Sequence, residues 1–276
     1  MRAEGFPGAF SAPGQEGELF AMSEISPILQ AIFRWAHVIA GITWIGLLYF
    51  FNWVNAPLQL VLAGDTKKAV NPELLPRALF WFRWGAAWTW VTGVLLLMLV
   101  FYHGGLTTNS GSFSGGAIAM IAVTFLAVFA YDAFMKIAAL KDLKTMFVVG
   151  LIDVALLCWL YESVGGFSYR AMNIHLGAAF GTAMAFNVWF RIWPAQQQII
   201  TAVKEGNPPD GDLVALAGLR SKHNTYMSIP LVWTMINAHT VVPWASWGWV
   251  GLTVMVAIGW WFGSMFFRQS AKVQGF

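Results

Sequence analysis

Charge is what this chain has least of. Asp, Glu, Lys and Arg together make up 11% of 276 residues, where a soluble domain carries about a quarter. That deficit excludes an ordinary soluble domain, and a net charge of only +3 excludes a nucleic-acid surface. Cysteine is nearly absent. The single Cys158 sits in an apolar run, so a disulfide framework is excluded, and no CxxCH occurs to carry a covalent haem c. A secretory signal is also missing, because residues 1–21 (MRAEGFPGAFSAPGQEGELFA) have no apolar core segment. Their Gly/Pro/Ser bias predicts a loose tail over residues 1–26, and either Met1 or Met22 can serve as the start. What is abundant is apolar and aromatic: 58% hydrophobic residues, with 16 Trp and 22 Phe.

A membrane-spanning helix needs about 20 mostly apolar residues to cross roughly 30 Å of hydrocarbon. Seven stretches qualify: 28–51, 79–102, 116–135, 145–162, 171–193, 227–242 and 247–267. The sixth is short and carries Pro230, which predicts a kink or an extension back into residues 221–226. The expected fold is therefore all-α, a polytopic bundle forming one domain over residues 27–270 with a short tail at 271–276.

Basic residues alternate between the loops. The first loop holds Lys67, Lys68 and Arg77, the third Lys136, Lys141 and Lys144, and the fifth Lys204, Arg220 and Lys222. The second and sixth loops have neither Lys nor Arg, and the fourth has only Arg170. The positive-inside rule then places the N-terminus outside and the C-terminus in the cytoplasm. A bacterial inner membrane, with lipid as the surrounding partner, is the expected location.

On this topology four of the five histidines fall near the outer side. His37 lies about 14 Å into the first span at 1.5 Å per residue, His103 ends the second, His175 is one turn into the fifth, and His239 closes the sixth. Neutral histidine is a common ligand for haem iron. His37 and His175 are the candidate axial ligands of a non-covalent haem b, with His239 a third candidate. No span carries two widely spaced histidines, so such a haem would be held between helices. Gly41 lies one turn from His37 and admits either a flat macrocycle or a neighbouring helix. The plainer alternative is that these are interfacial or packed polar side chains. Gly177 and Gly181 face away from His175 and predict a close helix contact.

Two further groups stand out. Asp153 lies in mid-span four, where an ionisable residue is a proton relay, a partner for a buried cation, or a neutral structural acid. In the fifth loop, Arg220, Lys222, His223 and Asn224 have the chemistry to bind a planar anion, or else supply ordinary positive-inside charge. Arg191 is expected simply to snorkel to the cytoplasmic surface.

Three blocks carry a resemblance. HVIAGITWIGLLYFFNWVN (37–55), MNIHLGAAFGTAMAFNVWFRIWPAQQ (172–197) and RSKHNTYMSIPLVWTMINAH (220–239) resemble the membrane domain of bacterial membrane-bound, cytochrome c-linked urate hydroxylases. The resemblance implies a membrane domain followed by a C-terminal cytochrome c. It also implies hydroxylation of urate to 5-hydroxyisourate, with water as oxygen source. It highlights His37, Gly41 and Trp44, then His175 and Asn187, then Arg220, His223, Asn224 and His239. Because this sequence ends after its seventh span, a separate cytochrome c is the expected electron acceptor.

Two readings follow. In the first the chain is a urate-hydroxylase-like oxidoreductase, with Asp153 and His223 catalytic and Arg220, Asn224 and Trp44 holding a planar anion such as urate. In the second it is a non-catalytic haem b-binding or structural subunit of a respiratory or photosynthetic electron-transfer complex.

Overall fold

The computed structural model describes residues 15–137, 142–239 and 242–273. Among them seven α-helices are 19 residues or longer. They are α1 (Gln15–Tyr49), α3 (Gly64–Leu96), α4 (Gly115–Phe134), α5 (Leu143–Ser163), α6 (Tyr169–Asn187), α8 (Gly211–Asn237) and α9 (Gly248–Ser270). The shorter α2 (Ala56–Val61) and α7 (Trp193–Lys204) continue α1 and α6 through π-helical turns at Phe50–Asn55 and Val188–Ile192. A third π segment, Leu97–Tyr102, ends α3.

Local sequence explains where these helices begin and bend. Ser114, Asp142, Ser168 and Asp210 precede α4, α5, α6 and α8, and each side chain accepts a hydrogen bond from a first-turn amide. Two of the π turns run directly into Pro57 and Pro194. A proline ring clashes with the carbonyl four residues back, and a wider turn relieves that clash while keeping the helix running.

Five segments are long and apolar enough to cross a membrane: Ile25–Val61, Gly64–Tyr102, Gly115–Phe134, Lys144–Ser163 and Pro243–Ser270. Their outward surfaces carry Trp35, Ile42, Leu126, Phe129, Ile152 and Trp261, all exposed. Water does not tolerate so continuous an apolar surface. The chain is a membrane protein. The fifth and sixth predicted spans are present as α6 and α8, but these fall outside the five and sit against each other in the interior with many buried polar side chains. Asn173, His175 and Asn187 are buried on α6, and Arg220, His223, Asn224, Thr225, Ser228, Thr234 and Asn237 on α8.

Two expectations are corrected. Helix α1 begins at Gln15, so residues 15–26 are helical where a loose tail is predicted; residues 1–14 lie outside the described residues, as does Lys141. The fifth loop is also far shorter than predicted. Helices α7 and α8 consume it except for residues 205–210, where Gly206 turns at φ +80°. Arg220, His223 and Asn224 therefore stand on a helix inside the bundle.

Small residues set the helix spacing. A Cβ on Gly177 would fall 2.9 Å from Met235 Cε, and one on Gly181 would fall 3.6 Å from Leu231, both on α8. Gly85 likewise seats α3 on the backbone of α1 at Ala40 and Trp44, and Gly259 seats α9 on Pro230. In hydrocarbon, where helices gain little from mutual apolar contact, such close approach is the main source of packing energy.

Candidate functional site

The interior of the bundle holds two polar groups, one toward each end of α6. His175 and Asn187 mark them, and twelve residues of helix separate these by about 18 Å.

The first group is built on charge. Asp132, near the end of α4, receives Arg191 Nε at 2.9 Å and pairs through its second oxygen with Arg191 Nη2. Arg220 Nη2 donates to the same carboxylate at 2.7 Å. Two guanidinium groups against one carboxylate leave a net charge of +1 in this cluster. Arg220 is 3% exposed; it also donates to Asn187 Oδ1 at 3.2 Å, and its guanidinium lies 5.1 Å over the Tyr131 ring. Asn187 donates to the Tyr131 hydroxyl at 3.0 Å and to Asn224 Oδ1 at 2.8 Å, while Asn224 donates to the Met184 carbonyl. The chain of bonds ends at His223, whose Nδ1 lies 3.0 Å from the Tyr131 hydroxyl.

The Tyr131 oxygen accepts from Asn187 and keeps a second lone pair, so its bond to His223 runs in either direction. With the phenol hydrogen on the Nδ1 side, a neutral imidazole carries its own hydrogen on Nε2. That Nε2 is buried and has no hydrogen-bond partner.

His223 borders a cavity of about 350 Å³ enclosed by α4, α5, α6, α8 and α9. Its wall is mainly apolar, with Val128, Leu157, Phe180, Met227 and Trp260 contributed one from each helix and Tyr131, Tyr226 and His223 among its polar members. Asp153 lies on the same wall and is exposed, without a hydrogen bond or ion pair among the described residues. Two residues read as catalytic from the sequence thus meet at one cavity.

The second group is aromatic. His175 is fully buried, and its Nδ1 lies 2.8 Å from the Ala171 carbonyl, which can only accept. Nε2 is therefore the acceptor for the Tyr102 hydroxyl at 3.1 Å. Phe167, Tyr102, Tyr161 and Phe101 surround the ring, with Phe167 closest at 4.5 Å between centroids. Thr124 and Tyr161 close the group with a 2.8 Å bond between hydroxyls.

A haem b held by His37 and His175 does not fit this arrangement. Both nitrogens of His175 are engaged and aromatic rings occupy the space a porphyrin would need. His37 faces elsewhere, with Nδ1 3.1 Å from Thr92 Oγ1 of α3 and its ring against Gly93. His239 and His103 are exposed. Gly41 admits a helix rather than a macrocycle, since its nearest neighbour is Thr89 of α3. No cluster of three or more His, Cys, Asp or Glu side chains gathers to hold a metal ion among the described residues.

The remaining sequence candidates divide. Arg220 and Asn224 join the His223 group, but much of their bonding is spent internally. Trp44 is buried against Gly85 at the α1–α3 contact and takes no part in it. Arg191, expected to snorkel, is instead half of the Asp132 double ion pair. Sequence reading missed Asp132 and Tyr131. The available signal was only that an acid near the inner end of an apolar span needs a cation; which arginines supply it was not legible.

Long apolar helices around an interior of paired charge, amide and imidazole define a polytopic membrane protein with a buried polar site. The chain belongs to the family described as Urate oxidase N-terminal, which it matches over residues 64–275. The match includes the second and third resembling blocks; the first, at 37–55, precedes it. No curated protein and no solved structure matches the chain.

Proposed function

We propose that this chain is a membrane-embedded oxidoreductase of the urate-hydroxylase type, resident in a bacterial inner membrane. All seven long helices cross the bilayer, with the basic loops on the cytoplasmic side. The reaction adds the oxygen of water to urate, giving 5-hydroxyisourate, two protons and two electrons that leave to a separate acceptor.

The observation that supports this reading is the buried network from Asp132 through Arg220, Asn187 and Tyr131 to His223. Burying charge in a membrane interior is costly, and a helix that only anchors or spaces a complex has no use for it. The roles follow from the bonding. Arg191 and Arg220, in excess over Asp132, favour an approaching planar anion. Asn224 holds Asn187, which in turn orients Tyr131. The Tyr131–His223 pair carries a proton away from the reacting water toward the cavity.

The test is turnover by the purified protein in lipid nanodiscs. Urate should be consumed and 5-hydroxyisourate formed, with label from isotopic water in the product, when an acceptor is supplied. His223→Phe should reduce the rate by about a hundredfold, the size of effect of removing a positioned proton-transfer group. No urate consumption with either a cytochrome c or a soluble quinone analogue as acceptor would sink this reading.

A further inference from the structure

We propose that the crevice between α3 and α7 binds an anionic phospholipid of the cytoplasmic leaflet, its head-group phosphate held by Arg83 and Lys204. The proposal goes beyond the urate reading and shares with it only the orientation, with the basic loops inside.

Helices α3 and α7 pack antiparallel. At one end the Arg83 guanidinium lies 3.9 Å over the Trp193 ring. At the other, Lys204 closes α7 and lines an open crevice of about 620 Å³ with Glu73, Arg77, Phe80 and Trp81 of α3. Glu73 to Arg83 on α3 and Trp193 to Lys204 on α7 each span about 15 Å of helix. Phe80 joins the two ends, since it lines the crevice and its ring lies 5.7 Å from the Arg83 guanidinium.

Arg83 is a cation without an acceptor. Arg191 and Arg220 are both answered by Asp132. Arg83 instead has three aromatic neighbours, Phe80, Trp189 and Trp193, and neither a hydrogen bond from its guanidinium nor an ion pair among the described residues. Its Nε is closed off, whereas Nη1 and Nη2 are open to the surface. Cation–π contacts hold the guanidinium in place but satisfy none of its N–H groups. Arg83 stands about 6 Å inside the predicted edge of its span at residue 79. An arginine at that depth extends toward the head groups, where the acceptor at hand is a lipid phosphate, a bidentate match for a guanidinium.

Charge selects the head group. Glu73 is taken by Arg77 at 2.8 Å, while Lys204 makes no ion pair among the described residues. Arg77, Arg83 and Lys204 against Glu73 and Glu205 leave a net charge of +1. Phosphocholine brings a cation of its own and does not reduce that surplus; a phosphatidylglycerol head cancels it. The apolar half of the site selects a lipid over a soluble anion. Trp81 and Trp84, one and two turns past Arg77, are exposed on a segment apolar enough to span a membrane. A ligand therefore meets charge at the cytoplasmic end and aromatic rings toward the bilayer core, the order of a phospholipid's head and acyl chains.

The test is native mass spectrometry of the full chain in a neutral detergent, with dioleoyl phosphatidylglycerol and dioleoyl phosphatidylcholine as probes of equal acyl chain. The first phosphatidylglycerol should bind about tenfold more tightly than phosphatidylcholine. Arg83→Gln and Lys204→Gln should each weaken it by about tenfold, the loss of one charge-assisted contact. Lys272→Gln, which removes a charge from the C-terminal tail, should leave it unchanged. Monodisperse elution establishes that each variant is folded; if Arg83→Gln does not fold, Lys204→Gln, at an exposed side chain, carries the test. Equal binding of the two lipids, or binding unchanged by both crevice variants, overturns the proposal. So does an equal loss in all three variants, because total charge alone would then attract the lipid. Displacement of the bound lipid by excess inorganic phosphate also overturns it, since the site would then be one for a soluble anion. None of these outcomes bears on urate turnover, and an inactive protein that binds phosphatidylglycerol as expected refutes the urate reading alone.

Discussion

One phenol joins the two halves of the site: the Tyr131 oxygen lies 3.0 Å from the Asn187 amide nitrogen and 3.0 Å from Nδ1 of His223. On one side of it stands a cluster of buried charge, and on the other an imidazole facing an apolar cavity. When the hydroxyl accepts from Asn187 and donates to His223, the chain of bonds runs in one direction and the imidazole carries its hydrogen on Nε2.

Replacing Tyr131 with Phe removes that direction. His223 Nδ1 loses its donor and Asn187 an acceptor, and an unsatisfied buried polar group costs about 1–3 kcal/mol. The unfolding midpoint should fall accordingly. More specifically, ¹⁵N spectra of labelled histidine should show one buried ring protonated only at Nε2 in the parent protein. In Tyr131→Phe both tautomers should appear. A single unchanged tautomer in the variant would remove Tyr131 from this role.

The Asp132 ion pairs make a larger prediction. Asp132→Asn leaves two guanidinium groups facing each other, one of them almost fully buried, and breaking a buried pair on one side costs about 3–5 kcal/mol. Denaturation in mixed micelles should register a loss of that size. The double change Asp132→Leu with Arg220→Met removes the orphaned charge and should recover more than half of it. A single substitution that leaves the midpoint in place would mean that water reaches the cluster freely.

The architecture was largely legible in the sequence, and the reason is physical. Length and apolarity alone determine whether a helix can span a bilayer, so α1, α3, α4, α5 and α9 follow from composition. The Gly177–Gly181 contact was legible too, because small residues four apart mark a close approach whatever the partner. What could not be read was partnership. Arg220 looked like a surface charge since its neighbours 221–224 are polar; only the packing of α8 on α6 and α4 shows that Asp132 neutralises it. His175 resembled a ligand by depth and residue type, yet its fate depends on Tyr102, 73 residues away. Asp153 and His223 are 70 positions apart, and nothing local to either signals a common cavity.

The saturation of His175 gives a direct spectroscopic expectation. Purified protein should yield no b-type haem signal in a reduced-minus-oxidised spectrum, and none by pyridine haemochrome. Tyr102→Phe, which strips the donor from His175 Nε2, should cost about 1–3 kcal/mol of stability. A stoichiometric b-type signal lost on changing His175 to Ala would reverse this and require the aromatic cage to open.

Topology can be tested on the same protein without reference to activity. The segment between α3 and α4 has no basic residue, whereas Lys204 borders the α7–α8 turn and Lys222 lies about three turns into α8. The positive-inside rule therefore places Asn109 outside and Asn207 in the cytoplasm. Both are exposed, and the native thiol, Cys158, is fully buried, so background labelling is low. With Asn109→Cys, a membrane-impermeant maleimide added to intact cells should react; with Asn207→Cys it should react only after the membrane is breached. Both positions labelling from the same side would mean that α6, which follows the candidate spans α4 and α5 between the two labels, fails to cross. The Asp132 cluster would then sit at the membrane surface, where water would screen its charges and an anion could reach the arginines without entering the bundle.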